Sequence, residues 1–403
     1  MHRLRFLTAG ESHGPLLTGI LDGAPAGLAL DQRAMAHQLA RRRQGYGRSP
    51  RQLLEQDDLE IVGGVRFGTT TGAPIAMLLK NAEAARWAEV LSVWPPHADM
   101  PAVAKKTVPR PGHADLAGMI KYDLDDVRDV LERASARETA MRVALSTVAR
   151  ALLSACGIAV GSDVIAIADV ADGGAGEGGI IADVDDVEAA CLRADASPVR
   201  CLDDVLGARM VARIDDAKRS GDTLGGRFVV RASGLPVGLG SHTQWDRRLS
   251  ARLSMAVSSI QAIKAVEVGV GVRAGTLPGR QAHDSFVVDG HGPHRSSNRA
   301  GGLEGGMSTG EELRLVATMK PFSTIPGGLP SFDIGTGVAD RGLVERSDVC
   351  AVPAAAVVAE AMVCLTLADA LLTDLGGDSM GQLLEHLAGR RARAAAMMRG
   401  DAR

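Results

Sequence analysis

Six short segments of this 403-residue chain gather charged or proton-carrying side chains among glycines and other small residues. They are GESHG with His13, RRRQGYGR from Arg41 to Arg48, RPGHAD with Arg110, His113 and Asp115, RASARET with Arg133, Ser135 and Arg137, KPFST from Lys320 to Thr324, and RSDVC with Arg346 and Asp348. Arginine's planar fork meets carboxylate and phosphate through paired hydrogen bonds. At least five such forks in glycine-rich settings point to a small, highly charged ligand carrying phosphate and carboxylates. Not every arginine can serve it. On a helix, residues 41, 42 and 43 diverge by about 100° each, so one or two converge on a ligand and the rest face solvent. Arg48 lies beyond Gly45 and Gly47 and swings in separately. Arg133 and Arg137, four apart, share a helical face, where like charges repel unless an anion bridges them.

His13 and His113 each have two readings: an ordinary surface histidine, or an acid–base group on a tight turn that lets a ligand approach the backbone. The arginine near His113 disfavours the charged form of that ring. Asp348 reads either as a local ion pair or cap beside Arg346, or as a carboxylate base held near a cationic site. KPFST offers an ammonium, two hydroxyls and backbone N–H groups, enough for a phosphate or the edge of a flavin. No His/Cys/Asp grouping has metal-ligand spacing, so no metal is expected. There is no P-loop, and no G-x-G-x-x-G opening a helix after a strand.

Composition narrows the partners. A nucleic-acid surface combines a basic domain with stacking aromatics; a net charge of −3 and 3 % aromatic residues supply neither. The N-terminus has no apolar signal segment. The stretch CAVPAAAVVAEAMVCLTLADALL carries Pro353, Glu360 and Asp369, which marks a buried core helix rather than a membrane span. Five scattered cysteines, an odd number with no C-x-x-C pair, read as reduced thiols of a cytoplasmic protein.

The elements that must position these groups follow from periodicity and capping. Residues 3 to 8 and 15 to 23 read as strands around the GESHG turn. A helix runs from the N-cap Asp31 to Gly45. LEIVGGVRFGTTTGAPIAMLLK reads as two β runs around a glycine-rich turn. DVRDVLERASARETAMRVALSTVARALLSAC reads as one long helix ended by Gly157. A strand follows at GIAVGSDVIAIADV, then a polar helical region from 182 to 218. RFVVRASGLPVGLG reads as two strands and RLSARLSMAVSSIQAIKAVEVG as a helix. Residues 271 to 300 have little periodicity and read as a functional loop or a segment ordered on binding. The helix at 353 to 375 and a basic, Ala-rich tail complete the chain. GGVRFGTTTG at 63 to 72 and GGLEGGMSTG at 301 to 310 share the pattern GG-x-x-x-G-x-x-T-G. The pair is either a coincidence of glycine-rich turns or the trace of an internal duplication. In a duplicated chain a site would sit at the seam between halves.

Together, GESHG, RRRQGYGR, RPGHAD, RASARETA, IQAIKAVEVG, NRAGGLEGGMSTG, KPFST and RSDVCAVPA resemble the chorismate synthase family, in the family's order and over nearly the whole chain. Phe322 stands where an aliphatic residue is usual, and 165 to 225 and 271 to 295 match loosely. The resemblance implies an α+β fold, a β-α-β sandwich with a helical layer between two antiparallel sheets, which an internal pseudo-twofold duplication would suit. It implies a single domain over 1–380 with a helical or flexible tail over 381–403, and a homotetramer. It implies a lyase that converts 5-enolpyruvylshikimate 3-phosphate to chorismate by 1,4-anti elimination of phosphate. Reduced FMN is required without net redox change, with NADPH a possible reductant in some members.

By resemblance, Arg42, Arg48, Arg110, Arg137 and Arg346 grip substrate; an alternative places NADPH at Arg42 and Arg48. The flavin lies against Arg133, Ala134, Ser135, Gln261, Ala262, Gly305, Lys320, Pro321, Phe322, Ser323, Thr324 and Arg346. His13 protonates the departing phosphate, His113 the reduced flavin, and Asp348 assists removal of the C6 proton.

Overall fold

The computed structural model describes residues 3–49, 57–95, 103–171, 181–290, 292–344 and 347–399. Strand β1 (Arg5–Ala9) returns through GESHG as the antiparallel β2 (Leu16–Asp22). Alternation turns Leu17 and Leu21 of β2 into the core. The Asp31 carboxylate accepts from the Arg33 N–H and starts α1 (Gln32–Arg43), which buries Met35 and Leu39. β3 (Leu59–Gly63) and β4 (Ile75–Lys80) complete a four-stranded antiparallel sheet in the order β1-β2-β4-β3.

Next come α2 (Asp115–Tyr122), α3 (Val127–Ala134) and α4 (Thr139–Ala155). The single long helix expected here is broken. Ser135 takes extended dihedrals (φ −64°, ψ 143°), and a 3₁₀ turn over Ala136–Glu138 leads into α4. Helical spacing on both sides hides this break, because the apolar period resumes after it.

The second half supplies β5 (Ala159–Ile167), α5 (Val187–Ala196), α6 (Asp204–Ser220), β6 (Gly226–Ser233), α7 (Leu249–Ser258), β7 (Ile263–Val268) and β8 (Leu313–Met319). Its antiparallel sheet runs β7-β8-β6-β5, with Val170–Ala171 added beside β5. Three expectations are corrected. The helix at RLSARL stops at Ser258, and β-branched IKAVEV forms β7. RFVVRASGLPVGLG forms one strand, its second part making only the Gly240–Met307 bridge. The 271–300 stretch holds a 3₁₀ turn, a short helix and the hairpin Phe286–Asp289/Gly292–Arg295.

Both sheets place their first, second, fourth and third long strands side by side. The echo in sequence is an echo in bonding. GGVRFGTTTG and GGLEGGMSTG each fold into a small hairpin before the fourth strand. Thr70 Oγ1 donates to Pro25 O at 2.6 Å and accepts from the Leu28 N–H at 2.9 Å. Ser308 Oγ donates to Pro236 O at 2.5 Å and accepts from the Leu239 N–H at 2.9 Å.

The centre belongs to α8 (Val352–Leu375), apolar on every side and packed against α1, α4, α7, β5 and β6. It is long and apolar enough to cross a membrane, yet its apolar window is wholly buried within the protein. Glu360, at its middle, is fully buried and accepts from Arg41 (2.8 Å, twice), Arg150 (2.6 Å), Ser162 (2.5 Å) and Arg200 (3.2 Å). Burial alone raises its pKa, but Arg41 and Arg150 outweigh that and hold the carboxyl well below the usual range. The tail is a docked helix, α9 (Met380–Arg399), which buries Met380, Leu383 and Leu387. All five cysteines are buried, and none is in a disulfide.

Candidate active site

The three consecutive arginines of α1 go three ways. Arg41 is tied into the Glu360 cluster behind the helix. Arg43 pairs with Asp57 at 3.4 Å. Arg42 lines a cavity, its Nε donating to Thr139 Oγ1 (3.1 Å) and Nη2 to Ala136 O (3.0 Å). Beyond α1 the backbone turns at Gly47 with φ +87°, where a Cβ would lie 2.9 Å from Ile214 Cγ2 and 3.2 Å from the Cys350 N. This close approach brings Arg48 and Ser49 to Asp348. Arg48 Nε is 3.2 Å from Asp348 Oδ2, and the Ser49 N–H donates to Oδ1 at 2.6 Å.

The break at Ser135 separates the two arginines expected on one face. Arg133 reaches Thr8 O (2.7 Å) and Gly10 O (3.2 Å). Arg137 turns into the cavity, where Asp57 (2.5 Å) and Asn81 (3.0 Å) receive it. Asp57 thus pairs Arg137 with Arg43 rather than with Arg133. Sequence reasoning missed Asp57, since it lies 80 residues from its partner.

His113 and Arg110 are set by one carboxylate. Asp115 Oδ1 lies 2.5 Å from His113 Nδ1, and Oδ2 accepts from the Arg110 N–H (3.0 Å) and Nε (2.9 Å). Burial pushes Asp115 up, but its hydrogen bonds from His113 and Arg110 hold it well below the usual carboxylate range. Lys320 Nζ donates to Gly112 O (2.6 Å) and Arg110 Nη1 to Thr324 Oγ1 (3.3 Å), so KPFST closes on this turn. His13 is held by Glu132, whose Oε1 lies 2.9 Å from His13 Nδ1.

One cavity of about 200 Å³ thus gathers His13, His113, Asp348, Arg42, Arg48, Arg110, Arg137, Ser135, Gln261, Phe322, Ser323 and Thr324. Ala134, Ala262, Lys320 and Pro321 adjoin these residues in the chain without lining it. Arg133 lines a neighbouring recess of about 420 Å³ that shares Gln261. Gly305 lies on the Leu303–Ser308 hairpin and lines neither space. Arg346 lies outside the described residues. Ser12, Ser49 and Thr139 line the cavity and were not picked out from sequence, where isolated hydroxyls carry no pattern.

A sequence model of the family described as chorismate synthase matches residues 4–372. The chain belongs to the chorismate synthase family. A chorismate synthase of Acidothermus cellulolyticus is 53 % identical over 389 residues, covering 95 % of this chain and 97 % of that one. One of Thermobifida fusca is 51 % identical over 391 residues, covering 96 % and 98 %. A solved structure, described as the crystal structure of chorismate synthase, superposes with a TM-score of 0.77 at 38 % identity, covering 97 % of this chain and 98 % of that one. Membership of the chorismate synthase family makes the chain a lyase of the shikimate pathway, on an α+β fold. The cavity's cationic lining suits a family whose substrate is a small anion.

Proposed function

We propose that this cavity converts 5-enolpyruvylshikimate 3-phosphate to chorismate and phosphate by 1,4-anti elimination. The observation that carries the reading is the convergence of four arginines and two histidines on one small space. The substrate bears one phosphate and two carboxylates, which Arg42, Arg48, Arg110 and Arg137 receive, with Arg346 assigned by resemblance. His13 delivers a proton to the departing phosphate, and Asp348 assists removal of the C6 proton. His113 keeps a proton within reach of the flavin. Fixed charges aimed at a developing phosphate dianion need no reorganisation as the bond breaks.

The residues present fit a flavin. Gln261 Oε1 is buried with no hydrogen-bond partner, where an imide N–H can donate. At about 200 Å³ the cavity falls below the ~300–1,000 Å³ of common ligand pockets. Of the residues assigned to the flavin by resemblance, Ser135, Phe322, Ser323 and Thr324 line the arginine-rich cavity, Arg133 lines the recess, and Gln261 lines both. FMN is therefore assigned to the region on either side of Gln261 and substrate to the arginines. Reduced FMN held there would supply transient electron density for the elimination, without net redox change. No observation favours NADPH at Arg42 and Arg48, so substrate is assigned there. Gly305, which lines neither space, is placed with the flavin by resemblance only.

The finer architecture belongs to the same reading. Equal strand order and the matched Thr70 and Ser308 bonds support an internal duplication about a pseudo-twofold, with helices layered between the sheets. An apolar groove of about 820 Å³, with exposed Leu7, Ile20 and Met255, supports assembly, as a homotetramer by resemblance. The single domain rests on the same resemblance, and the cytoplasmic location on the five scattered cysteines.

An anaerobic assay with the substrate and chemically reduced FMN tests the reading by following phosphate and chorismate together. Equal appearance of both products, absent with oxidised FMN, is expected. Binding of substrate and FMN without turnover would sink it.

A further inference from the structure

His13 is not simply exposed on a turn; it is clamped on three sides. Glu132, whose side chain is 2 % exposed, places Oε1 at 2.9 Å and Oε2 at 3.1 Å from His13 Nδ1. Oε2 also accepts the His13 backbone N–H at 2.9 Å, and the Glu132 carbonyl accepts the Ser12 N–H at 3.2 Å. Trp87 lies over the imidazole, with ring centroids 4.4 Å apart and planes tilted by 33°. The Arg128 guanidinium sits 5.3 Å from the Trp87 ring and 4.0 Å from Glu132 Oε1. Histidine, carboxylate, guanidinium and indole therefore form a closed ring of contacts.

We propose that Glu132 is a positioning residue for His13, resting on the acid role assigned to that histidine. A buried carboxylate on Nδ1 fixes the tautomer and the ring plane, as the partner of a general acid does elsewhere. Proton exchange with the departing phosphate then falls to Nε2. The carboxylate also balances the imidazolium in a site already crowded with guanidinium groups. Trp87 covers the ring face and limits its rotation, while Arg128 holds the indole in place by a cation–π contact. Glu132 touches neither the cavity nor the reacting atoms and acts only through His13.

A double-mutant cycle tests this. Glu132→Gln keeps the shape and removes the charge and one acceptor. It is expected to lower kcat by about 10- to 1,000-fold, part of what a positioned acid supplies, with KM within about threefold. On a His13→Ala background the same change is expected to add nothing. Trp87 gives a readout independent of turnover: with Trp94→Phe and Trp245→Phe it is the sole tryptophan, and imidazolium quenches indole fluorescence. The emission of that indole should change in Glu132→Gln, as the imidazole leaves its fixed place against it. An equal loss of kcat in both backgrounds would mean a merely structural glutamate and overturn the inference. An unimpaired Glu132→Gln beside an impaired His13→Ala overturns it alone. A His13→Ala variant at the parent rate overturns both it and the acid role.

Discussion

Asp115 concentrates the most chemistry per atom in this site. One carboxylate fixes a histidine and an arginine that the cavity uses together. Its carboxyl titrates lower in the folded chain than in the unfolded one, so it adds stability above the ordinary carboxylate range, about pH 4. That stability is lost as pH falls from there toward the folded value. Asp115→Asn should flatten this acid-side dependence in denaturant titrations. It should also cost about 3–5 kcal/mol at neutral pH, as stranding one half of a buried pair does. Gly47 makes a second residue-level prediction. Gly47→Ala places a side chain at φ +87° and 2.9 Å from Ile214, a strain of roughly 1–3 kcal/mol. The displaced Arg48 should weaken substrate binding, measured by calorimetry, more than it weakens FMN binding.

Elements decide where those residues point. Helix α8 carries Glu360 into the core to meet three arginines from α1, α4 and the segment after α5. Glu360→Gln should cost about 3–5 kcal/mol, read as a lowered denaturation midpoint, because it leaves buried guanidinium groups uncompensated. Arg42 should suffer with it, since Arg41 anchors the same turn of α1. Much of this framework was legible in sequence. Asp31 marked the start of α1, and the apolar run marked α8 as a core helix. The break at Ser135 was not legible, because Arg133 and Arg137 keep helical spacing across it. Strand β7 was hidden by the helix-forming residues before it. The histidines and arginines were legible from their glycine-rich settings, whereas Asp57 and Asn81 were not. Their partners come from distant sequence, and only the fold brings them together.

At the scale of the whole molecule, the lead into β1 and the helix α9 are each tied to distant parts of the fold. The N–H groups of Arg3 and Leu4 both donate to Asp369 of α8 at 2.8 Å. Arg391 of α9 donates to the Cys156 and Gly234 carbonyls at 2.9 Å. Removing residues 380–403 should therefore lower Tm by many degrees, since it strips Leu383 and Leu387 from the core, each worth about 2–5 kcal/mol. Removing only residues after Arg393 should change Tm little, because the last part of α9 is largely exposed.

The position of α8 in the chain also orders the molecule's birth. The helix against which α1, α4, α7 and the second sheet pack spans Val352–Leu375, near the end of a 403-residue chain. A ribosome adding about 5–20 residues per second must release nearly everything else first. Until α8 emerges, β5, β6 and α4 lack one of the main elements they pack against. The nascent chain is thus an apolar surface waiting for its centre, and chains stalled before residue 352 should be clients of chaperones rather than folded fragments.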